Sequence, residues 1–372
     1  MKKRILVFGC TGSIGTSTLN LFREFPEKFE AAGLTAHSSK DRLAELSKEF
    51  MDAPTLLFEN TNKNDLINFI RECKPDLVVN GISGSAGLLP SIATLEEGID
   101  LALANKETIV MAGRIVKSLA NKNKCRILPV DSEHSAIFSL IERHKKDSIQ
   151  EIILTASGGP FKDLPQEKLK DVTASQALKH PTWNMGKKIT IDSASMANKG
   201  LEIIEACQLF DFPPDKVKVV VHPQSLVHSL ARTKDGVLYA QLSHPDMRHP
   251  ILTAISWPDF VPNGMKQLDL STGCTLSFFP PRIDAFPMLR LAYDVAEKDG
   301  GYAIAYNAAN EIAVPLFIEG EIAFTDIPKI TQQVLCDDWS EEPVTIDDVF
   351  LFDKRARSKA QQIAKTLMEV SF

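Results

Sequence analysis

Three carboxylates in two short runs are the residues best suited to chemistry: Asp131 and Glu133 on either side of Ser132, and Glu202 closing Asn198-Lys199-Gly200-Leu201-Glu202. Carboxylate oxygens beside a hydroxyl are hard ligands. They suit Mg2+ or Mn2+, with water and substrate oxygens completing the shell. The simpler alternative is a solvent-facing charge or a first-turn acid favoured by the helix dipole. That alternative is adopted for Glu205. Asp131 and Glu133 follow an apolar strand and therefore point to a sheet edge. A second group offers anion-binding chemistry. Ser157-Gly158-Gly159-Pro160-Phe161 follows a strand and resembles a backbone nest. Ser193 lies beyond an expected strand at Lys188–Ile191, and Asn198 and Lys199, before a helix start, add an amide and a point charge. A neutral-to-cationic pocket beside an acidic metal site suits a phosphorylated polyol whose oxygens chelate the metal.

A third constellation would hold a dinucleotide. Gly9-Cys10-Thr11-Gly12-Ser13-Ile14-Gly15 follows the first apolar run and opens a helical stretch. Glycines there let the backbone approach a pyrophosphate, and a helix N-terminus presents unsatisfied amides to it. The spacing is GxxGxxG, so the strand–loop–helix context carries the reading more than the bare pattern does. NAD-preferring folds place an acid near the end of the second strand. Here that strand runs into His37-Ser38-Ser39-Lys40, which favours NADPH, although His37 and Lys40 taken singly are equally readable as a solvated surface pair. Asn105, Lys106 and Glu107 follow the fifth strand at the carboxyl edge where open α/β sheets bind ligands. Asn105 and Glu107 would touch the nicotinamide half and Lys106 a polar substrate group. His180-Pro181-Thr182-Trp183-Asn184-Met185-Gly186 reads as an apolar covering loop. For His180 alone, a satisfied structural histidine is the better reading.

Elements that position these residues are legible as alternating apolar runs and amphipathic stretches. Strands are expected at 4–8, 30–35, 55–58, 76–80, 100–104 and 126–130, separated by helices, which implies βαβ units and a parallel sheet. A second region from Asp131 mixes strands at 151–155, 188–191, 216–221, 225–232 and 237–242 with a helix at 200–210. The last two flank Asp235-Gly236, a hairpin signal. Residues 258–286 are rich in Pro and Gly and read as a linker, and only helical patterns follow it. The fold class expected is α/β, with an N-terminal Rossmann-like dinucleotide-binding domain (1–131), a central α+β catalytic domain (132–257), a linker (258–285) and a C-terminal helical domain (286–372).

The 372 residues are 44% hydrophobic and 24% charged, with a formal net charge of −6, which excludes a basic field for nucleic acid or anionic lipid. No stretch nears the ~20 apolar residues of a membrane span. The Lys2-Lys3-Arg4 start mimics a signal peptide, but its apolar run stops at Gly9. Six scattered cysteines with no CxxC pair suit a reducing compartment. A cytoplasmic homodimer is the default expectation.

Taken in order, the motifs resemble one family. They are Gly9–Gly15, Ala104–Glu107, Val130-Asp131-Ser132-Glu133-His134, Ser157–Phe161, His180–Gly186, Asn198–Glu202, His222-Pro223-Gln224-Ser225, Pro245-Asp246-Met247-Arg248 and Asn307-Ala308-Ala309-Asn310-Glu311. The chain resembles the 1-deoxy-D-xylulose 5-phosphate reductoisomerases from residue 1 into its last helical region. That resemblance implies conversion of 1-deoxy-D-xylulose 5-phosphate to 2-C-methyl-D-erythritol 4-phosphate, with NADPH and Mg2+, Mn2+ or Co2+. It implies that Asp131, Glu133 and Glu202 are metal ligands. Ser157, Ser193, Asn198 and Lys199 would hold the phosphate under His180, and Ser132 and Lys106 would touch the substrate backbone. Thr11, Gly12, Ser13, Ile14, His37, Ser38, Ser39, Asn105, Glu107 and Gly186 would line the NADPH site. Lys106, Glu133 and His180 are the residues implied in catalysis. The implied chemistry is a retro-aldol cleavage and re-addition, followed by hydride reduction of an aldehyde. The proton carrier stays open among a metal-bound water, Lys106 and a carboxylate ligand. At His37-Ser38-Ser39 the chain departs from the family's Gly-Lys-Asn-like run, which leaves the 2′-phosphate contacts open.

Overall fold

The computed structural model describes residues 1–59 and 61–370. The chain forms two compact units, Met1–Ile109 with Gly113–Ser139 and Asp246–Lys266, and Val110–Ala112 with Leu140–Pro245 and Gln267–Phe372.

The first unit alternates strands and helices: β1 (Lys3–Phe8), α1 (Ser13–Glu24), β2 (Phe29–Ala36), α2 (Lys40–Glu49), β3 (Thr55–Leu57), α3 (Lys63–Cys73), β4 (Leu77–Asn80), α4 (Leu88–Glu96), β5 (Asp100–Leu103), α5 (Lys106–Asn123), β6 (Ile127–Pro129) and α6 (Ser132–His144). The six strands are parallel in the order β3-β2-β1-β4-β5-β6. Such strands are covered on both faces and so read as continuous apolar runs; Ile5, Leu6, Val7 and Phe8 are all fully buried. Strand order reverses between β1 and β4. Open α/β sheets bind ligands at such a switch point, outside the carboxyl ends of the strands, and here the loops that carry Gly9 and Gly81 pack against each other.

The second unit holds β7 (Ile149–Ala156), α7 (Ala174–Ala177), α8 (Lys187–Ala194), α9 (Ala197–Phe210), β8 (Val217–Val221), β9 (Val227–Thr233) and β10 (Leu238–Leu242). Its sheet runs β10-β9-β7-β8, with β9 antiparallel to both neighbours and β7 parallel to β8. The expected hairpin is present: Gly236 has φ 87° and its amide donates to the Thr233 carbonyl at 2.9 Å. The expected strand at 188–191 is instead the middle of α8. Ile189, Thr190 and Ile191 favour strands, but a Lys188–Asp192 ion pair at 2.8 Å spans one helical turn, and Ile191 and Asp192 are buried on the helix's inner side.

The chain then returns to the first unit as α10 (Arg248–Ser256), whose Ile251, Leu252, Ala254 and Ile255 join the core beneath α1 and β1. Residues 267–286 are mostly irregular. The helices α11 (Pro287–Ala296), α12 (Tyr302–Glu319), α13 (Asp326–Leu335) and α14 (Ile346–Val370) complete the second unit. α12 is buried on nearly every side from Ile304 to Asn310, as a central helix must be.

Candidate active site

In the first unit, β1 ends at Gly9, which takes a left-handed φ of 76° and donates its amide to the Thr35 hydroxyl at 3.1 Å. The Gly12 amide closes the turn on the Gly9 carbonyl at 3.1 Å. A Cβ at Gly15 would overlap the Gly9 carbonyl and the Cys10 backbone, so only glycine lets α1 start this close to the strand. Gly12 and Ser13 are exposed, Thr11 and Ile14 half-buried, and the first turn of α1 carries neither an acid nor a capping side chain. Its opening amides therefore face outward, as anion binding requires. His37, Ser38 and Ser39 are exposed past the end of β2, and the next acid along the chain, Asp41, lies in the first turn of α2.

Asn105 is almost fully buried and serves as the N-cap of α5. Its Oδ1 accepts the Thr108 amide at 2.9 Å, and its Nδ2 donates to the carbonyls of Ile82 and Gly84, both at 2.8 Å. It braces the loop after β4 and also reaches Glu107 Oε2 at 3.1 Å. Lys106 points from the first residue of α5 to Asp131, Nζ to Oδ2 2.9 Å. Asp131 in turn caps α6: its Oδ1 accepts the amides of Glu133 at 2.9 Å and His134 at 3.2 Å. The buried His134 ring lies 3.3 Å from the same oxygen. The Ser132 hydroxyl donates to Glu133. The sequence reading does not single out His134; its i,i+3 spacing from Asp131 at a helix start is the signal that marks it.

In the second unit, Ser157, His180 and Ser193 converge. His180 Nε2 lies 2.9 Å from Ser157 Oγ and 3.1 Å from Ser193 Oγ. Its Nδ1 accepts the amides of Thr182 at 3.1 Å and Trp183 at 2.9 Å. An imidazole that accepts at Nδ1 carries its one proton on Nε2. Burial pushes its pKa down from the ordinary 6.5 and so favours this neutral form. Gly158 and Gly159, with φ 85° and 67°, turn the chain so that the Gly159 amide donates to Ser157 Oγ at 3.2 Å. A Cβ on Gly159 would come within 2.9 Å of the Ser193 carbonyl. Hydroxyls, a turned backbone and an imidazole N–H form a neutral donor set for an anion.

Around the corner between α8 and α9, Asn198 Nδ2 donates to Glu202 Oε1 at 2.6 Å, and Lys199 donates to Glu202 Oε2, with both charged side chains buried. In this structure Asn198 and Lys199 thus serve Glu202, whereas Ser157 and Ser193 are tied to His180. Gly186 is exposed at the start of α8, with φ −62°.

Family profiles match along the chain. One described as 1-deoxy-D-xylulose 5-phosphate reductoisomerase covers residues 5–68 and 52–113, its C-terminal domain covers 127–210, and a DXP reductoisomerase C-terminal domain covers 242–359. The 1-deoxy-D-xylulose 5-phosphate reductoisomerase of Treponema denticola is 50% identical over 367 residues, 96% of either chain. That of Prosthecochloris aestuarii is 45% identical over 376 residues, 96% of this chain and 98% of its own. The Zymomonas mobilis enzyme in complex with NADPH superposes with a TM-score of 0.89 at 35% identity, over 99% of this chain and 100% of that one. A DOX-P reductoisomerase in complex with NADPH, fosmidomycin and magnesium gives 0.90 at 36% identity, over 98% and 99%. With relatives this similar matched from end to end, the chain belongs to the 1-deoxy-D-xylulose 5-phosphate reductoisomerase family.

Proposed function

We propose that this chain converts 1-deoxy-D-xylulose 5-phosphate to 2-C-methyl-D-erythritol 4-phosphate, using NADPH and a divalent cation. The observation that carries the reading is 50% identity to a named reductoisomerase along 96% of both chains. NADPH and Mg2+ are the cofactors, and Mn2+ or Co2+ would satisfy the same hard-ligand chemistry.

The residues present fit a divalent cation. Asp131, Glu133 and Glu202 offer carboxylate oxygens. Two of these carboxylates are matched by ammonium groups, Lys106 on Asp131 and Lys199 on Glu202, which marks where positive charge is needed. When bound, the cation supplies Lewis-acid polarisation of the substrate's oxygens, and NADPH supplies the hydride. Asp131, fixed by two α6 amides, holds the proton-bearing Lys106 Nζ at the head of α5, where it and Ser132 orient the substrate backbone. Ser157, Ser193, Asn198 and Lys199, with His180 Nε2, receive the phosphate. Binding energy at that remote group serves to position the reacting carbons. Thr11, Gly12, Ser13, Ile14 and Gly186 belong to the NADPH site, with His37, Ser38 and Ser39 at the ribose end and Asn105 and Glu107 at the nicotinamide half. The loop His180–Gly186 covers the substrate and excludes water.

Among the described residues, no helix is long and apolar enough to cross a membrane. A cytoplasmic homodimer is part of the proposal. β10 is an edge strand with exposed Leu238 and Tyr239, a surface suited to pairing with a second copy. The reaction is tested with NADPH deuterated at its transferable position. 2-C-Methyl-D-erythritol 4-phosphate carrying one deuterium is the expected product, and consumption of NADPH without it would refute the reading.

A further inference from the structure

The run Asn307-Ala308-Ala309-Asn310-Glu311 has no part in the site described above, yet it lies in the central helix of the second unit. Asn310 and Asp192 explain its placement. Asn310 Nδ2 donates to Asp192 Oδ1 at 2.8 Å, and the side chains are 0% and 1% exposed. The other Asp192 oxygen pairs with Lys188 Nζ at 2.8 Å, one turn earlier in α8. A buried carboxylate is stable only when its oxygens are met by donors. Here one donor comes from its own helix and the other from α12.

Asp192 immediately precedes Ser193. Neighbouring residues on a helix point about 100° apart, so Asp192 faces α12 while Ser193 reaches His180. One turn before Asn310, Tyr306 packs its hydroxyl against Gly200 of α9, where any Cβ would collide with it, and donates to the Met288 carbonyl at 3.1 Å. One face of α12 thus backs both α8 and α9. Between them the chain turns through Met196, a non-glycine residue at φ 63°, a conformation that L side chains hold only against a steric cost. The corner that carries Ser193, Asn198 and Lys199 is braced from behind by Asn310 and Tyr306.

We infer that Asn310 is a positioning residue for phosphate recognition: through Asp192 it sets where α8 presents Ser193. The inference rests on the proposed phosphate role of Ser193, Asn198 and Lys199. Without Asn310 the carboxylate loses the donor that meets its Oδ1, and α8 shifts to recover one.

The test uses the full chain with NADPH and Mg2+. It compares kcat/KM for 1-deoxy-D-xylulose 5-phosphate and for unphosphorylated 1-deoxy-D-xylulose in Asn310→Ala, Asn310→Ser and Ser193→Ala. For Asn310→Ala the expected loss is on the order of tenfold with the phosphorylated substrate, mostly in KM, and below about twofold with the unphosphorylated one. The KM for NADPH should not move. Asn310→Ser keeps a hydroxyl donor and should recover part of the loss; it carries the test alone if the alanine variant does not fold. Equal losses on both substrates, or no loss, while Ser193→Ala loses activity chiefly on the phosphorylated one, would overturn the inference. A Ser193→Ala enzyme that loses nothing on the phosphorylated substrate, or as much on both, would overturn the phosphate-site reading and this inference with it.

Discussion

Lys106 Nζ lies 2.9 Å from Asp131 Oδ2, and the two side chains are 6% and 14% exposed. Asparagine at 131 would keep the cap on α6, because its Oδ1 still accepts the Glu133 and His134 amides. It would leave the buried Lys106 ammonium without its carboxylate. Asp131→Asn should therefore lower stability by about 2 kcal/mol, below the full penalty of a wholly buried pair because some water reaches Asp131. It should also nearly abolish turnover. Urea denaturation with matched rate measurements checks both; a variant as stable as the wild type would show that the pair contributes nothing.

Glu202 is fully buried and held by Lys199 and Asn198. If it is a metal ligand, cation binding to the folded state must raise the melting temperature. Mg2+ should stabilise the wild type and fail to stabilise Glu202→Gln. Thermal denaturation across a Mg2+ titration, without substrate, reads this independently of catalysis. Equal shifts in the two proteins would remove Glu202 from the ligand set.

Protonation of His180 would break the bonds its Nδ1 accepts from Thr182 and Trp183. Burial holds its folded pKa below the ordinary 6.5. The unfolded chain therefore takes up the proton more readily. The stability this ring contributes is present above about pH 6.5 and is lost as pH falls through the folded value. The urea midpoint should drop between roughly pH 7.5 and roughly pH 5.5, and less steeply in His180→Asn. Identical slopes would mean that His180 is not the group responsible.

The parallel sheet was readable because strands buried on both faces are uninterrupted apolar runs, and all six appear within one or two residues of the expected positions. The helix Leu88–Glu96 carries a weaker local signal. Seven of its residues, Leu88 and Pro90 through Leu95, are buried, so it carries no amphipathic stripe. The strand pattern Ile-Thr-Ile sits in α8 because the burial of Ile191 and Asp192 and the bond from Asn310, which hold the helix, come from tertiary structure. The return of α10 to the first unit leaves no local mark at all. At the site, residue types and loops were legible, but pairing was not. Nothing in the spacing of Ser157, His180 and Ser193 says that one imidazole nitrogen meets both hydroxyls, or that Lys199 spends its charge on Glu202.

Lys199 brings a full positive charge to the phosphate residues, and charge-assisted hydrogen bonds are about twice as strong as neutral ones. Lys199→Ala should reduce kcat/KM for 1-deoxy-D-xylulose 5-phosphate by about 2–4 kcal/mol, through both kcat and KM, and more than either Ser157→Ala or Ser193→Ala. Steady-state kinetics of the three variants settle the order. A Lys199→Ala enzyme near wild-type efficiency would move the phosphate elsewhere.

The central claim is a metal-dependent reductoisomerase, and the most direct measurement is NADPH consumption on addition of 1-deoxy-D-xylulose 5-phosphate. It is made in metal-chelated buffer and again after Mg2+ is restored, with NADH run in parallel. Rapid oxidation of NADPH only with both substrate and Mg2+ present, and much slower oxidation of NADH, is the predicted result. The same rate without a divalent cation, or no oxidation when substrate, NADPH and Mg2+ are all present, would contradict the account.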